Sequence, residues 1–423
     1  MKRRDLLQSS AALGVLACTG AASARIPAKA QVVVIGGGFG GATAARYLRL
    51  FSQHRIGVVL IEPDAAFVSC PVSNLVIGGS RKLAEITRSY TGLERLGVRV
   101  LRDVAQAVDT QRKTVTLGGG ATIAYDMLVV SPGVELQFDE VEGLRAAHAA
   151  GQVLQAWKAG PETLALRRQL EAMRDGGVFA ITIPEQPYRC PPAPYERACQ
   201  VAWYFRQAKP RSKVLVLDAN PDITSKGPIF RKAWAEQYPG MVDYRPQNKV
   251  VGVDGRAGVL HLEVQDDVQA DVLNVLPPMR AGAIAAQAGL RNVADRRWCG
   301  VDFLTFESTA ARDVYVLGDA LQIAPLMPKS GHMANSQAKV AAAAIVARLS
   351  GWEPNPAPML TNTCYSYIDD RTVAHVASVH AYDAGQKTFL PVPGAGGVSA
   401  EANHDEARPA WDWARNIWSD TLG

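Results

Sequence analysis

Val32 to Ile35 form an unbroken β-branched run that stops at Gly36, Gly38 and Gly41, after which alanines recur at helical spacing as far as Leu48. Such a run predicts a buried strand, a glycine turn and a helix N-terminus. Further apolar runs punctuate the chain. Val58 to Ile61 closes on Glu62, and Tyr125 to Gly133 ends in a Pro-Gly turn. Val178 to Ile183 precedes a helical stretch around Tyr195 to Gln207, then a run from Lys213 to Leu217 that closes on Asp218. Asp313 to Ala320 ends in Gly-Asp, and Ser330 to Leu349 reads as an alanine-rich helix. Short apolar runs alternating with helices point to parallel strands covered on both faces, an α/β fold.

The glycine spacing carries the first chemistry. Gly36 makes the tight turn, Gly38 lets the backbone approach a pyrophosphate, and Gly41 lets helix and strand pack closely. Phosphates then sit at the helix N-terminus, where unpaired N–H groups favour negative charge. Glu62, about twenty residues on, is placed to hold ribose hydroxyls. In two-domain flavoproteins a strand ending in Gly-Asp sets the aspartate against the ribityl and phosphate region of FAD, so Gly318 and Asp319 join the candidates. The helix from Ser330 points its N-terminus toward the flavin pyrimidine ring. The expected architecture is two Rossmann-like domains of the glutathione-reductase type. An FAD-binding domain in two parts, 31–155 and 286–352, is split by an NAD-like domain at 156–285. Beyond Trp352-Glu353-Pro354 the composition shifts to Pro, Asn and aromatics, which marks a C-terminal α+β interface domain at 353–423.

The inserted unit repeats the βαβ outline without its fingerprint. Between Pro184 and Pro194 no glycine remains, and prolines remove N–H groups that would cradle phosphates. The flavin is therefore expected to take its electrons from something other than NAD(P)H. That same loop contains Cys190, at the C-terminal end of a strand, where functional groups collect. Cys70 has no second cysteine within five residues, so the C-x4-C redox pair of glutathione-reductase-like enzymes is missing. Cys364 lies in the C-terminal region, and the spacing leaves open whether it pairs with Cys190. Cys199, on the predicted helix, and Cys299, beside Trp298, read as structural.

The N-terminus opens with Arg3-Arg4, continues through an apolar run from Ala11 to Ala22, and reaches Ala22-Ser23-Ala24. This is the pattern of a twin-arginine export signal over 1–30, with Cys18 leaving alongside it. A periplasmic location follows, in an oxidising compartment where disulfides persist. The formal charge of +5 resides partly in that segment, so no nucleic-acid partner is inferred. No later apolar run reaches the roughly 18 residues of a membrane span, so no integral membrane segment is expected. No metal site is expected either.

With these features in view the chain resembles the flavoprotein subunit of flavocytochrome c sulfide dehydrogenase and related sulfur-oxidation flavoproteins. The resemblance runs through VVVIGGGFGG, SCPVSNLVIGG, YRCPPAPYERA, YVLGDA, PKSGHMANSQAK, NTCYSYI and the terminal NIWSDTLG. It implies that Cys70 is attached to the flavin 8α-methyl carbon and that Cys190 and Cys364 form a redox disulfide above the flavin. Lys329, in PKSGHMANSQAK, joins the expected cofactor contacts. Glu196, in PYERA, is either a proton-transfer group or a helix N-terminal carboxylate stabilised by the dipole. Hydrosulfide would attack the disulfide and electrons would pass through FAD to a haem. No C-x-x-C-H occurs in the sequence, so haem c belongs to a partner, a c-type cytochrome subunit. Two alternatives stand beside this one: a sulfide:quinone oxidoreductase-like enzyme, and a non-catalytic flavoprotein partner of a sulfur-oxidation system. Trp411, Trp413 and Trp418 near the C-terminus either meet that partner or dock on the chain's own core.

Overall fold

The computed structural model describes residues 30–293 and 295–423. The expected twin-arginine signal, apart from Ala30, and Cys18 with it lie outside the described residues. The first sheet is built on the run Gln31–Ile35, which pairs in parallel with Gly57–Ile61 on one side and Met127–Val130 on the other. Val98–Leu101 extends one edge and Val314–Val316 the other, again in parallel. Two short antiparallel strands, Glu307–Ser308 and Val301–Asp302, finish the sheet. Its central strands are buried almost throughout, because helices cover both faces.

Helix Phe39–Phe51 and helix Gly331–Ser350 pack together on this sheet. Both helices bury small residues, among them Gly40, Ala42 and Ala45 on the first and Ala338, Ala341 and Ala342 on the second, and small side chains are what let two backbones approach closely. The terminal helix Ala407–Leu422 closes over both. There Asn335 donates to Thr43 Oγ1 at 2.9 Å and to Asp420 Oδ2 at 2.8 Å, one side chain from each of the other two helices.

The second sheet belongs to the inserted unit and is parallel throughout, in the order Val153–Leu154, Val272–Val275, Val178–Ile183, Lys213–Asp218, Val242–Pro246. The chain crosses between the two bodies along an antiparallel pair, Val134–Leu136 with Met279–Ala281. Its own strand Val153–Leu154 thus lies just before residue 155, where the sequence reading ended the first part of the flavin domain. The C-terminal region is a meander of Met359–Tyr367, Val373–Asp383 and Thr388–Pro391, followed by the terminal helix. Of the two readings for the tryptophans, the structure gives docking on the chain's own core. Trp418 is 2% exposed, and Arg81 and Arg88 lie over the rings of Trp411 and Trp418 at 4.4 and 4.1 Å. Among the described residues no helix is long and apolar enough to cross a membrane.

Candidate active site

The glycine turn opens onto a cavity of about 440 Å³, within the range of small-molecule sites. Each glycine has a different reason to be there. Gly36 has φ +95°, and a β-carbon on it would collide with the Ser131 carbonyl. At Gly41 a β-carbon would collide with the Gly36 carbonyl, so helix and strand could not meet as they do. Gly38 is the opposite case: a β-carbon there meets nothing within 4 Å, because its open side belongs to the cavity. Gly38 also begins helix Phe39–Phe51 without any side-chain cap, which leaves main-chain donors at the cavity wall.

Glu62 reaches into the same wall. Its Oε2 accepts the Gly37 N–H at 2.6 Å and its Oε1 that of Asp64 at 2.8 Å, while burial raises its carboxyl above the ordinary value. Across the cavity, Gly318 adopts φ +73° and donates its N–H to Gln337 Oε1 at 2.8 Å. Asp319 follows, with a buried Oδ1 that finds no hydrogen-bond partner among the described residues. An orphaned acceptor, an open glycine and an uncapped helix N-terminus on one cavity are the features that fit an FAD, with hydroxyls for Asp319 and phosphates for the turn. Burial holds the Asp319 carboxyl high, against the opposing charges of Arg189 and Lys329.

Lys329 departs from its expected role. It does not line the cavity; its Nζ turns away to donate to the carbonyls of Asp319, at 2.9 Å, and Leu321, and lies 3.5 Å from the centre of the Trp298 ring. The lysine therefore fixes the Gly-Asp turn from behind. Burial lowers its own pKa to about 7.

Cys70 is on the cavity wall, with Sγ 3.8 Å from the Trp157 carbonyl. The same carbonyl accepts from the Arg189 guanidinium. Burial alone would lower the Arg189 pKa, but Cys70, Asp319 and Cys190 around it raise it. Arg189 is thus a site residue that the sequence reading passed over. Its signal was in the string Tyr188-Arg189-Cys190, where the cysteine drew the attention.

Cys190 also lines the cavity, at φ +58°, a left-handed backbone that a non-glycine residue seldom adopts. Its N–H donates to the Lys329 carbonyl at 2.8 Å and its carbonyl accepts from Ala193 at 3.0 Å, where helix Ala193–Ala208 begins. Burial first, then a charge on neighbouring Cys364, push the Cys190 thiol well up. Cys364 sits in strand Met359–Tyr367, off the cavity wall, with Sγ 3.7 Å from Asn362 Oδ1. Burial raises its thiol as well, while Lys226 acts against the rise. No disulfide joins the two among the described residues, and the implied pairing rests on the resemblance.

Glu196 is 6% exposed and lies off the cavity wall. Its Oε2 accepts from Asn74 Nδ2 at 2.9 Å and its Oε1 from the Tyr367 N–H at 3.0 Å. Burial raises its carboxyl despite both bonds. Cys199 and Cys299 are fully buried, as read.

In the inserted unit the acidic residue that would hold a nucleotide ribose is already consumed. Asp218 is buried; Tyr195 and Tyr244 donate to its Oδ2 at 2.7 and 3.1 Å, and Asn220 Nδ2 to its Oδ1 at 2.8 Å. Both Asp218 carboxylate oxygens are thus taken by side chains of the protein itself.

Comparison with known proteins bears on the whole chain. Residues 163–277 match the family described as "Sulfide dehydrogenase [flavocytochrome c] flavoprotein chain, central", and residues 356–422 match "Flavocytochrome c sulphide dehydrogenase, flavin-binding". Residues 30–165 match "Pyridine nucleotide-disulphide oxidoreductase". Over 46 residues, 11% of this chain and 94% of the relative, the sequence is 59% identical to the "Sulfide dehydrogenase [flavocytochrome c] flavoprotein chain" of Chlorobaculum thiosulfatiphilum. It is 24% identical over 322 residues to the mitochondrial sulfide:quinone oxidoreductase of Mus musculus, an alignment covering 69% of this chain. The chain spans 66% of the mouse protein's length, just under two thirds. The sulfide:quinone oxidoreductase structure from Aquifex aeolicus superposes with a TM-score of 0.77 at 18% identity, over 93% of this chain and 91% of that one, and so shares the fold.

Proposed function

The chain belongs to the flavocytochrome c sulfide dehydrogenase flavoprotein family, and from that premise we propose that it oxidises sulfide through Cys190 and Cys364. The observation that carries this reading is the placement of Cys190. It stands on the wall of the cavity that Gly38 and Asp319 shape for FAD, with the half-buried Cys364 as its neighbour. In the oxidised pair, hydrosulfide forms a bond to one sulfur while the S–S bond breaks onto the other. One cysteine is left as a hydropersulfide and the other as a thiolate. FAD, bound in the cavity, supplies a two-electron acceptor.

The remaining residues orient and protect this pair. Arg189 offsets negative charge on Cys190 and Asp319. Glu196 ties the helix after Cys190 to the strand of Cys364 and, with a carboxyl raised by burial, is placed to hold a proton near both sulfurs. Cys70 is the proposed point of covalent attachment of FAD. A c-type cytochrome on a partner chain is the proposed electron acceptor, because the sequence has no haem-attachment motif. Export by the twin-arginine route to the periplasm completes the proposal and suits a tethered cofactor, which could not be replaced there.

Purified flavin-loaded protein given sulfide tests the reading against its rivals. Reduction of cytochrome c, with decylubiquinone left oxidised, is the expected result. Preference for the quinone would make this a quinone reductase, and a flavin that sulfide does not bleach would make it a binding partner.

A further inference from the structure

Lys226 is a lysine in an unfavourable place. It is 6% exposed and has φ +59°, immediately before helix Gly227–Glu236. A side chain with a β-carbon is disfavoured in that backbone region, and burial disfavours an ammonium. Its Nζ donates to the Cys364 carbonyl at 3.0 Å and to the Ala374 carbonyl at 3.4 Å, two main-chain acceptors rather than a carboxylate. The titratable groups that face it are Cys364 on its strand, Glu196 on the helix after the proline loop, Cys190 in that loop, and Glu406 before the terminal helix.

The two cysteines therefore have different surroundings. Cys364 has the Lys226 ammonium, with Asn362 and Ser330 as hydrogen-bonding neighbours. Cys190 has Arg189, but that guanidinium also serves Asp319 and the Trp157 carbonyl, and Cys364 opposes negative charge on Cys190, while Glu196 opposes it on both sulfurs alike.

We propose that Lys226 is a positioning residue that selects the leaving sulfur, stabilising negative charge on Cys364 so that hydrosulfide attacks Cys190. This rests on the sulfide-oxidising reading above. The incoming sulfur bonds to Cys190 Sγ and keeps its proton; the bond between Cys190 and Cys364 breaks, and its electron pair leaves on Cys364. A hydropersulfide on Cys190 and a thiolate on Cys364 result, with no outside oxidant. The selection matters because, of the pair, only Cys190 lies on the wall of the cavity that fits FAD.

Peptide-resolved alkylation of the reduced, flavin-loaded protein with iodoacetamide across a pH series tests the charge without any sulfide. Cys364 is expected to react at a lower pH midpoint than Cys190. Lys226→Met should raise the Cys364 midpoint by about one pH unit or more, and Lys226→Arg should restore it. A purely structural lysine would not move a midpoint in this way. A Cys190 midpoint at or below that of Cys364 in the unaltered protein overturns the proposal, even if the methionine variant does not fold. So does a Cys364 midpoint that Lys226→Met leaves in place. Sulfide is then added to the oxidised protein and the persulfide trapped and mapped. Sulfur on Cys190 supports the selection, and sulfur on Cys364 overturns it. If neither cysteine takes up sulfur while the alkylation order holds, the sulfide-oxidising reading is what fails, and the choice of leaving sulfur falls with it.

Discussion

Glu196 Oε1 accepts the main-chain N–H of Tyr367 at 3.0 Å, which joins the helix following Cys190 to the strand that carries Cys364. The other carboxylate oxygen takes the Asn74 amide from the short helix after Cys70. One buried side chain thus holds the segments of all three site cysteines together. Arg197, next in sequence, adds to the junction by donating to Asn74 Oδ1 at 3.0 Å and Asn274 Oδ1 at 2.9 Å.

Removing that acceptor leaves buried donors without partners. Glu196→Ala is expected to destabilise the protein by about 1–3 kcal/mol for each donor left unpaired. A lower denaturant midpoint at unchanged slope is the expected observation. A variant as stable as the parent would show that water or rearrangement replaces the carboxylate, and the junction role would be lost.

Cys190 and Cys364 act as a unit in the proposed reaction, so their substitutions should not add. Cys190→Ser, Cys364→Ser and the double variant are each expected to lose sulfide-dependent flavin reduction by at least about a hundredfold, to one common residual rate. Flavin content should stay near that of the parent. Two single-variant losses that multiply in the double variant would mean that the cysteines act separately.

The glycines of the turn make a sharper test of the cofactor site, because their reasons differ. Gly38→Ala has room for its methyl group and should fold with unchanged thermal stability as apoprotein, yet retain less FAD. Gly41→Ala meets the Gly36 carbonyl and should cost about 1–3 kcal/mol of stability or more, whatever the cofactor content. Thermal unfolding and flavin absorbance, measured on the same samples, separate the two. Equal losses of both properties in both variants would contradict the assignment.

The parts of this molecule that were legible in its sequence are those where a local pattern and a local geometry are the same thing. Gly36, Gly38 and Gly41 are read from spacing because the turn is made by neighbouring residues. Val178 to Ile183 is a strand at the residues read, because both its faces are covered. Lys329 is placed in the cofactor contacts by its motif alone, whereas its direction follows from the Asp319 and Leu321 carbonyls and from Trp298, a contact no local pattern displays. Lys226 was silent for the same reason. A lysine in a loop usually faces water; only the meeting of separate chain segments buries this one beside the cysteines. Asp218 shows the converse, since the tyrosines that consume it come from a helix and a strand whose pattern carries no sign of that contact.

Lys329 offers a pH test that is independent of activity. Burial lowers its pKa to about 7 in the folded protein, whereas the unfolded chain keeps the ordinary lysine value near 10.5. Between those limits the unfolded state binds more protons than the folded one, and stability must therefore rise with pH. The burial penalty is complete below about pH 7 and disappears as the pH climbs toward the ordinary value. Neutral lysine can still donate to the carbonyls of Asp319 and Leu321, so the turn survives deprotonation. Lys329→Met, which titrates nowhere, should lack this rise. Thermal midpoints of parent and variant from pH 7 to 10 are expected to show the parent gaining on the variant as pH increases. Parallel curves would place the Lys329 charge in a more hydrated setting than the one beside Trp298, and its role behind the Gly-Asp turn would need to be rebuilt.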